Sequence, residues 1–319
     1  DANIKWEETT TYNVGVDFGF LDSRITGSID VYQRETRDLL NFIPVPAGTN
    51  LTNAITTNVG DLKNRGIEIT LNTTPIKTDK MSWEIGGNIT INRNEITKLL
   101  ATEDSTYQGV ATGGISGGVG NMIQIHSVGF PANSFFVYEQ VYDDNGVPIE
   151  GLYVDRNGDG MISLDDRYRY ENPAADVFFG FTTLFNYGNF NASLAGRAMY
   201  GNAMYNNVLS NQAVYNNLYN SAGYIANVHA ATSDIDFTVP QYFSDHFIQD
   251  ASFLKIDNVT VGYSFPKLIS GGNLNVSLTV QNPVMFTNYT GIDPEQFNGI
   301  DVNIYPRPRT YLLGVNANF

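Results

Sequence analysis

An acidic segment in the middle of the chain has the residue spacing with the clearest chemical meaning. Residues 155–166 read D-R-N-G-D-G-M-I-S-L-D-D. Counted from the first Asp, oxygen-bearing groups fall at the ligand positions of an EF-hand loop, and a glycine falls at the sharp turn of position six. Hard oxygens at this spacing favour Ca²⁺, so the segment predicts a calcium site. The predicted ligands are Asp155, Asn157, Asp159, the carbonyl of Met161, Ser163 and Asp166.

Two features limit what this calcium site would do. Position twelve is Asp166 rather than the usual bidentate Glu, and the shorter side chain should weaken binding. No helical pattern flanks the loop, so we expect a structural clip and not a sensor that opens on binding. The sequence leaves open the alternative of a solvated acidic turn without metal.

A second candidate is a stretch rich in Tyr and Asn, residues 200–224. Exposed aromatic rings stack on sugar faces or peptides, and Asn amides supply paired donors and acceptors. The predicted contact residues for a substrate or a protein partner are Tyr200, Tyr205, Tyr215 and Tyr219. A loop packed on itself is the alternative.

Signals for catalysis are weak, and we predict that the chain is not an enzyme. His126, His229 and His246 have no nucleophile at a recognisable spacing, and no H-E-x-x-H or G-x-S-x-G motif occurs. We interpret the adjacent pair Asp245 and His246 as structural. The chain has no Cys, which excludes disulfides, thiolate nucleophiles and Cys-zinc sites. The run G-G-I-S-G-G-V-G lacks the flanking strand and helix of a phosphate-binding loop and is interpreted as a flexible loop.

The composition indicates a folded, strand-rich chain. Of 319 residues, 42% are hydrophobic and 13% aromatic, with 19 Tyr, 19 Phe and 30 Gly, which favours strands joined by turns. The formal net charge of -15 argues against nucleic-acid binding, which requires clustered Lys and Arg. No apolar run approaches the roughly 18 residues of a membrane helix. Strands that cross a membrane show only alternation of apolar and polar residues, so this absence does not exclude a membrane β-barrel.

Alternation of apolar and polar residues predicts about ten strands. Long loops are expected over residues 93–130 and 200–250, and short turns elsewhere. The predicted strands are hairpins 12–20 with 25–31 about the turn 21–24, 67–71 with 83–91, 177–187 with 190–199 and 259–265 with 274–280, a strand over 135–142, and the closing strand 310–319.

Short turns at one end and long loops at the other are typical of outer-membrane barrels, as is a polar face of Asn, Thr, Ser, Asp, Glu and Gly. The pattern therefore favours an antiparallel transmembrane β-barrel. A β-sandwich, as in a secreted Ca²⁺-binding adhesin or glycan-binding module, remains the alternative. In a barrel, aromatic residues near strand ends would form belts at the two membrane interfaces. These are Tyr12, Phe20, Tyr32, Trp83, Tyr187, Tyr263 and Tyr311.

Several local sequences resemble SusC/RagA-like TonB-dependent outer-membrane transporters. They occur in the family's order over nearly the whole chain. They are D-A-N-I-K-W-E-E-T-T-T-Y-N-V-G-V-D-F-G-F (1–20), N-V-G-D-L-K-N-R-G-I-E-I (58–69), the acidic segment 155–166, A-S-F-L-K-I-D-N-V-T-V-G-Y (251–263), V-Q-N-P-V-M-F-T-N-Y-T-G-I-D-P-E (280–295) and Y-P-R-P-R-T-Y-L-L-G-V-N-A-N-F (305–319).

The resemblance implies that residues 1–319 are the C-terminal portion of a 22-stranded barrel, with the plug and N-terminal strands outside this chain. It implies a multi-pass barrel in the Gram-negative outer membrane, surrounded by lipid, that imports oligosaccharides or peptides. The implied partners are a SusD-like surface lipoprotein and, through the missing part, TonB.

The family pattern is broken at one place. Residues 282–284 are Asn-Pro-Val where the family usually has Asn-Leu-Phe. Because Pro283 lacks a backbone donor, we expect the strand to end or bulge there.

Overall fold

A computed structural model of the protein describes residues 4–44, 54–100, 107–219, 222–269, 272–302 and 305–318. Strands dominate the described chain, with two short helices and three 3-10 turns (Leu164–Asp166, Tyr215–Asn217 and Asp245–Phe247). The helices are α1 (Asn207–Gln212) and α2 (Thr232–Ile235). The strands are β1 (Glu8–Phe20), β2 (Ile25–Pro44), β3 (Ala54–Lys77), β4 (Met81–Lys98), β5 (Val110–Gly114), β6 (Met122–His126), β7 (Ser134–Val137), β8 (Gln140–Tyr142), β9 (Pro148–Tyr153), β10 (Tyr168–Tyr170), β11 (Val177–Tyr187), β12 (Phe190–Tyr200), β13 (Ala203–Asn206), β14 (Ile248–Asp250), β15 (Phe253–Ile269), β16 (Gly272–Thr287), β17 (Ile300–Asp301) and β18 (Thr310–Asn318).

Nine strands form one continuous sheet, which we call the wall. Its order is β1-β2-β3-β4-β11-β12-β15-β16-β18, and every neighbouring pair is antiparallel. Neighbours in the wall are also successive in the chain once the intervening short strands are set aside. This confirms the predicted all-β antiparallel architecture, with nine described strands in the wall instead of about ten.

The wall has one apolar and one polar face, because directly opposed residues share a face and the side-chain period is two. One row joins Val31, Ile67 and Ile91 across β2, β3 and β4, whereas the adjacent row on the other face contains Glu68 and Thr90. Val31 is 52% exposed, so no second sheet packs on this apolar face in the described part of the chain. The β-sandwich alternative is therefore wrong.

The connections at the two ends of the wall differ in length. Turns 21–24, 78–80 and 188–189 are short, and Gly188 has a φ of 55°, which glycine adopts without strain. Connections 99–176, 201–252 and 288–309 at the other end are long. No helix among the described residues is both long and apolar enough to cross a membrane.

The long connections fold together into a packed body that we call the crown. It contains β5–β10, β13, β14, β17 and both helices, arranged in sheets of four, three and two strands. Ile123, Tyr205 and Ile300 come from three different connections and meet in one buried cluster with Phe135 and Phe237. The main hydrophobic core of the described chain therefore lies in the crown, while the apolar face of the wall stays uncovered.

Two predictions for segments of the crown, one of a strand and one of a loop, are wrong. Residues 135–142 do not form a wall strand, since β7 and β8 belong to separate small sheets of the crown. The interval 93–130 is not one flexible loop, because it contains β5 and β6, which pair with each other. Strands of five residues stabilised by contacts distant in sequence leave too little periodicity to be recognised.

The bulge predicted at Pro283 is present. The pairing of β15 with β16 shifts between Ile256–Val284 and Asn258–Gln281, and Asn282 has a φ of 50°. The strand continues beyond it to Thr287. A strand that loses one ladder donor can thus be accommodated without ending.

Among the predicted belt aromatics, Tyr32 alone does not lie on the apolar face. Its row contains Asn13 and Asn92 on the polar face, and its hydroxyl donates to Asn92 Oδ1 at 3.0 Å. The other belt aromatics lie on the apolar face, with Tyr12 and Tyr311 near the crown and Phe20, Trp83, Tyr187 and Tyr263 near the short turns.

Candidate functional site

The polar face of the wall is a continuous hydrogen-bonding surface. Asn94 Nδ2 donates to Asn64 Oδ1 at 2.8 Å, and the Thr260 and Thr279 hydroxyls are 2.8 Å apart. These uncharged groups carry donors and acceptors that water or a polar solute can share. The face can therefore line an aqueous path.

Near the crown, this face also carries an ionic cluster. Arg197 on β12 holds Glu295 in a bidentate pair, Nε–Oε1 at 3.0 Å and Nη2–Oε2 at 2.8 Å, and reaches Asp257 at 2.6 Å. Arg307 contacts Glu295 at 2.9 Å and Asp293 at 2.8 Å. The cluster joins two wall strands to the last long connection, residues 288–309.

Glu295 is the centre of this cluster. Burial opposes its ionisation, but Arg197, Arg307 and Lys255 together lower the pKa of the carboxyl group. The buried Lys255 ammonium lies 3.8 Å from the same carboxylate. Sequence analysis missed the cluster because its members come from three separate segments, and no local spacing joins them.

The acidic loop is folded around its own backbone amides. Asp155 accepts from the N–H groups of Gly158 at 2.7 Å and Gly160 at 2.8 Å. Asp166 is fully buried and accepts from Ser163 N at 2.7 Å and Arg156 N at 3.0 Å. The hydrogen bond from Ser163, followed by those from Asn157 and Arg156, lowers the pKa of Asp166. These bonds keep the carboxylate ionised and fix the loop.

The loop supplies only part of what a metal site requires. In the described ranges, no group of three or more His, Asp or Glu side chains is arranged to hold a metal ion. The predicted set also uses neutral oxygens from Asn157, Met161 and Ser163. Asp155 and Asp159 accept hydrogen bonds from backbone amides of the same loop. Ca²⁺ binding by this loop therefore stays a prediction.

The four candidate tyrosines differ in exposure. Tyr219 is 72% exposed in the crown, and Tyr215 is half-buried. Tyr200 is 68% exposed, but it ends β12 opposite Val177 and therefore lies on the apolar face of the wall. Tyr205 is completely buried, and its hydroxyl donates to the Tyr242 carbonyl at 2.8 Å. A contact role for Tyr205 is therefore wrong, because the ring belongs to the core of the crown.

The Asp245 and His246 side chains face different partners. Asp245 accepts from Tyr168 Oη at 2.7 Å and Gln140 N at 3.0 Å, and burial raises the pKa of its carboxyl group. His246 Nδ1 is 3.1 Å from Tyr142 Oη, and burial lowers the pKa of the imidazole. These contacts fasten crown segments together, in agreement with a structural interpretation.

Comparison with protein families gives a match over residues 1–146 to the family described as "TonB dependent receptor-like, beta-barrel". The TonB-dependent receptor SusC of Bacteroides thetaiotaomicron is 47% identical over 100% of this chain and 32% of its own length. TonB-dependent receptor P3 of Formosa agariphila is 29% identical over 99% of the chain and 34% of its own length. The chain thus spans about a third of these relatives.

Among solved structures, the RagAB peptide importer in its open-open state matches with a TM-score of 0.75 and 23% identity. The match covers 99% of this chain and 35% of that one. The RagAB peptide transporter gives a TM-score of 0.73 at 24% identity. At these identities the likeness supports the fold, which is the C-terminal part of a receptor barrel.

Proposed function

Because this chain belongs to the SusC/RagA-like TonB-dependent receptors, which are non-enzymatic proteins of the outer membrane, we propose that it forms part of the wall of an active importer. The observation that carries the proposal is the two-faced wall, with an apolar face for lipid and a polar face for a solute path. Energy would come from TonB through a plug in the part of the receptor outside this chain.

We propose oligosaccharides or peptides as the substrates. Amides and hydroxyls such as those of Asn64, Asn94 and Thr260 bond equally well to sugar hydroxyls and to peptide groups. The exposed ring of Tyr219 in the crown can stack on either. The family resemblance of the sequence supports both classes.

A SusD-like surface lipoprotein is the proposed partner over the crown. The crown is formed by the long connections, which in outer-membrane barrels lie on the outer side. It is a packed body with its own core, so it offers a defined surface on which the lipoprotein can close as a lid. Tyr219 is exposed on it and is the proposed contact with the lipoprotein or the substrate.

For the acidic loop we propose a structural Ca²⁺ clip. The support is the EF-hand spacing together with the oxygen donors of Asp155, Asn157 and Asp159, which lie on one short loop. Bound Ca²⁺ would neutralise these carboxylates and hold the loop against the crown. No part of the transport proposal depends on it.

Uptake by cells tests the transport proposal. Cells that carry the full-length receptor should accumulate labelled oligosaccharides or peptides, and should stop when the proton-motive force is removed. The variant Tyr219→Ala should lower uptake severalfold. The control Tyr187→Ala changes an exposed ring of the apolar face and should leave uptake unchanged. Uptake that persists without an energised inner membrane would contradict an active importer.

A further inference from the structure

Two arginines lie side by side on the apolar face of the wall. Arg65 on β3 is directly opposite Arg93 on β4, and their row continues through Gln33 on β2 to Tyr12 on β1. The next row towards the short turns is Val14, Val31, Ile67 and Ile91. The arginine pair therefore borders the apolar band on its crown side.

The height of this pair matches a membrane boundary. Outward positions of β4 run from Trp83 through Ile85, Ile89 and Ile91 to Arg93. Ten residues at about 3.3 Å each, tilted by about 40°, rise about 25 Å, which is the height of the apolar band of outer-membrane barrels. Trp83 lies at the end with the short turns, so Arg93 is at the level of the outer-leaflet headgroups.

Neither guanidinium is paired with a carboxylate among the described residues. In the part of the chain that the structure describes, Arg65 and Arg93 form no ion pair. The next row towards the crown alternates in sign, with Glu35, Lys63 and Glu95 on successive strands. Like charges directly opposite each other destabilise a sheet, so an anion bridging the arginines would remove a repulsion.

An apolar groove of about 490 Å³ lies beside the pair. Its lining includes Tyr12, Val14, Ile67 and Ile91 together with both arginines. β3 and β4 are interior strands of the wall with neighbours on both sides. Arg65, Ile67 and Ile91 of the lining share the apolar face, so the groove opens on the surface that lipid covers.

We propose that Arg65 and Arg93 bind the phosphate of an outer-leaflet lipid, whose acyl chain lies in this groove. Two adjacent guanidinium groups suit the oxygens of one phosphate, to which arginine donates in a bidentate fashion. The apolar residues that line the groove suit the acyl chain of a lipid and not a free anion. The site would hold the receptor at a defined height and orientation in the membrane.

Native mass spectrometry of the full-length receptor tests this proposal. The probes are diphosphoryl lipid A, lipid A whose phosphates have been removed, and inorganic phosphate. The wild-type receptor should retain the diphosphoryl lipid in preference to the dephosphorylated one. Arg65→Gln/Arg93→Gln should lower that retention at least tenfold, and Arg65→Lys/Arg93→Lys should restore part of it.

The matched control is Arg34→Gln, which removes a guanidinium from the opposite face one row nearer the crown and should change nothing. Resistance to unfolding in cold detergent verifies folding, and the single variants serve if the double variant fails to fold. Equal retention by wild type and double variant would overturn the proposal. Equal retention of the diphosphoryl and the dephosphorylated lipid would also overturn it. So would inorganic phosphate that displaces the bound lipid as effectively as added lipid does.

Discussion

Replacing Glu295 by Gln tests whether the ionic cluster fastens the last long connection to the wall. Arg197 and Arg307 both contact this carboxylate, at 2.8 and 2.9 Å, and Lys255 lies at 3.8 Å. After the substitution, three cations share the carboxylates of Asp257 and Asp293. Lys255, with a side chain only 5% exposed, loses the carboxylate it faces in the described structure.

The expected cost lies between two limits. Breaking a fully buried ion pair costs about 3–5 kcal/mol, whereas an exposed pair contributes about 0–1 kcal/mol. The Glu295 side chain is 24% and that of Arg197 36% exposed, so solvent screens part of the interaction. We therefore expect about 2 kcal/mol in the free energy of local opening, or about 30-fold in the open population.

Hydrogen exchange of the full-length receptor, read by mass spectrometry, measures this opening. Amides of residues 288–302 should exchange about 30-fold faster in Glu295→Gln. The control is Glu68→Gln, which removes a polar-face carboxylate that has no ion pair in the described part of the wall. Unchanged exchange in the Glu295 variant, or equal acceleration in both, would refute a fastening role.

Three further predictions concern charge and burial. The pKa of Glu295 is lowered in the folded state. The stability that its carboxylate contributes is therefore complete above the unfolded pKa, near 4.3, and is lost as pH falls through the folded pKa. Protection of residues 288–302 from hydrogen exchange should decrease below about pH 4 in the wild type and stay level in Glu295→Gln. Ile89→Arg, on the apolar face, should destabilise the assembled barrel by about 2–4 kcal/mol, whereas Thr90→Arg, on the polar face, should be tolerated; the denaturant midpoint of the receptor in lipid vesicles separates the two. Calorimetry should detect Ca²⁺ binding at millimolar concentration in the wild type and not in Asp155→Asn. An absence of binding heat in the wild type would contradict the proposed Ca²⁺ clip.

Sequence periodicity predicted the wall well, because a strand with one face in lipid must alternate over many residues. The turn at residues 21–24 of the first hairpin was predicted correctly, whereas β2 continues to Pro44, 13 residues beyond the predicted end at Val31. Even the bulge at Pro283 followed from a single missing donor. These features depend on local chemistry, which one sequence contains.

The crown was not predictable in the same way. β7 was assigned to the wall and β6 to a loop, because strands this short have little periodicity and gain stability from distant segments. Tyr205 was taken for a contact residue because composition cannot separate a buried ring from an exposed one. Glu295 was missed since its partners are distant in sequence. Phe319, the last residue of the predicted closing strand, lies outside the described part of the chain, so its place in that strand stays a prediction.

The central claim is that the wall separates lipid from a polar path, and alternate-site labelling tests it directly. The chain has no Cys, so single cysteines can be placed along β4, and any Cys elsewhere in the full-length receptor is first replaced by Ser. Cysteines at 88, 90 and 92 should react with a water-soluble maleimide, and those at 89 and 91 should react only with a lipid-soluble one. Equal reactivity at successive positions, or the reversed pattern, would contradict the account.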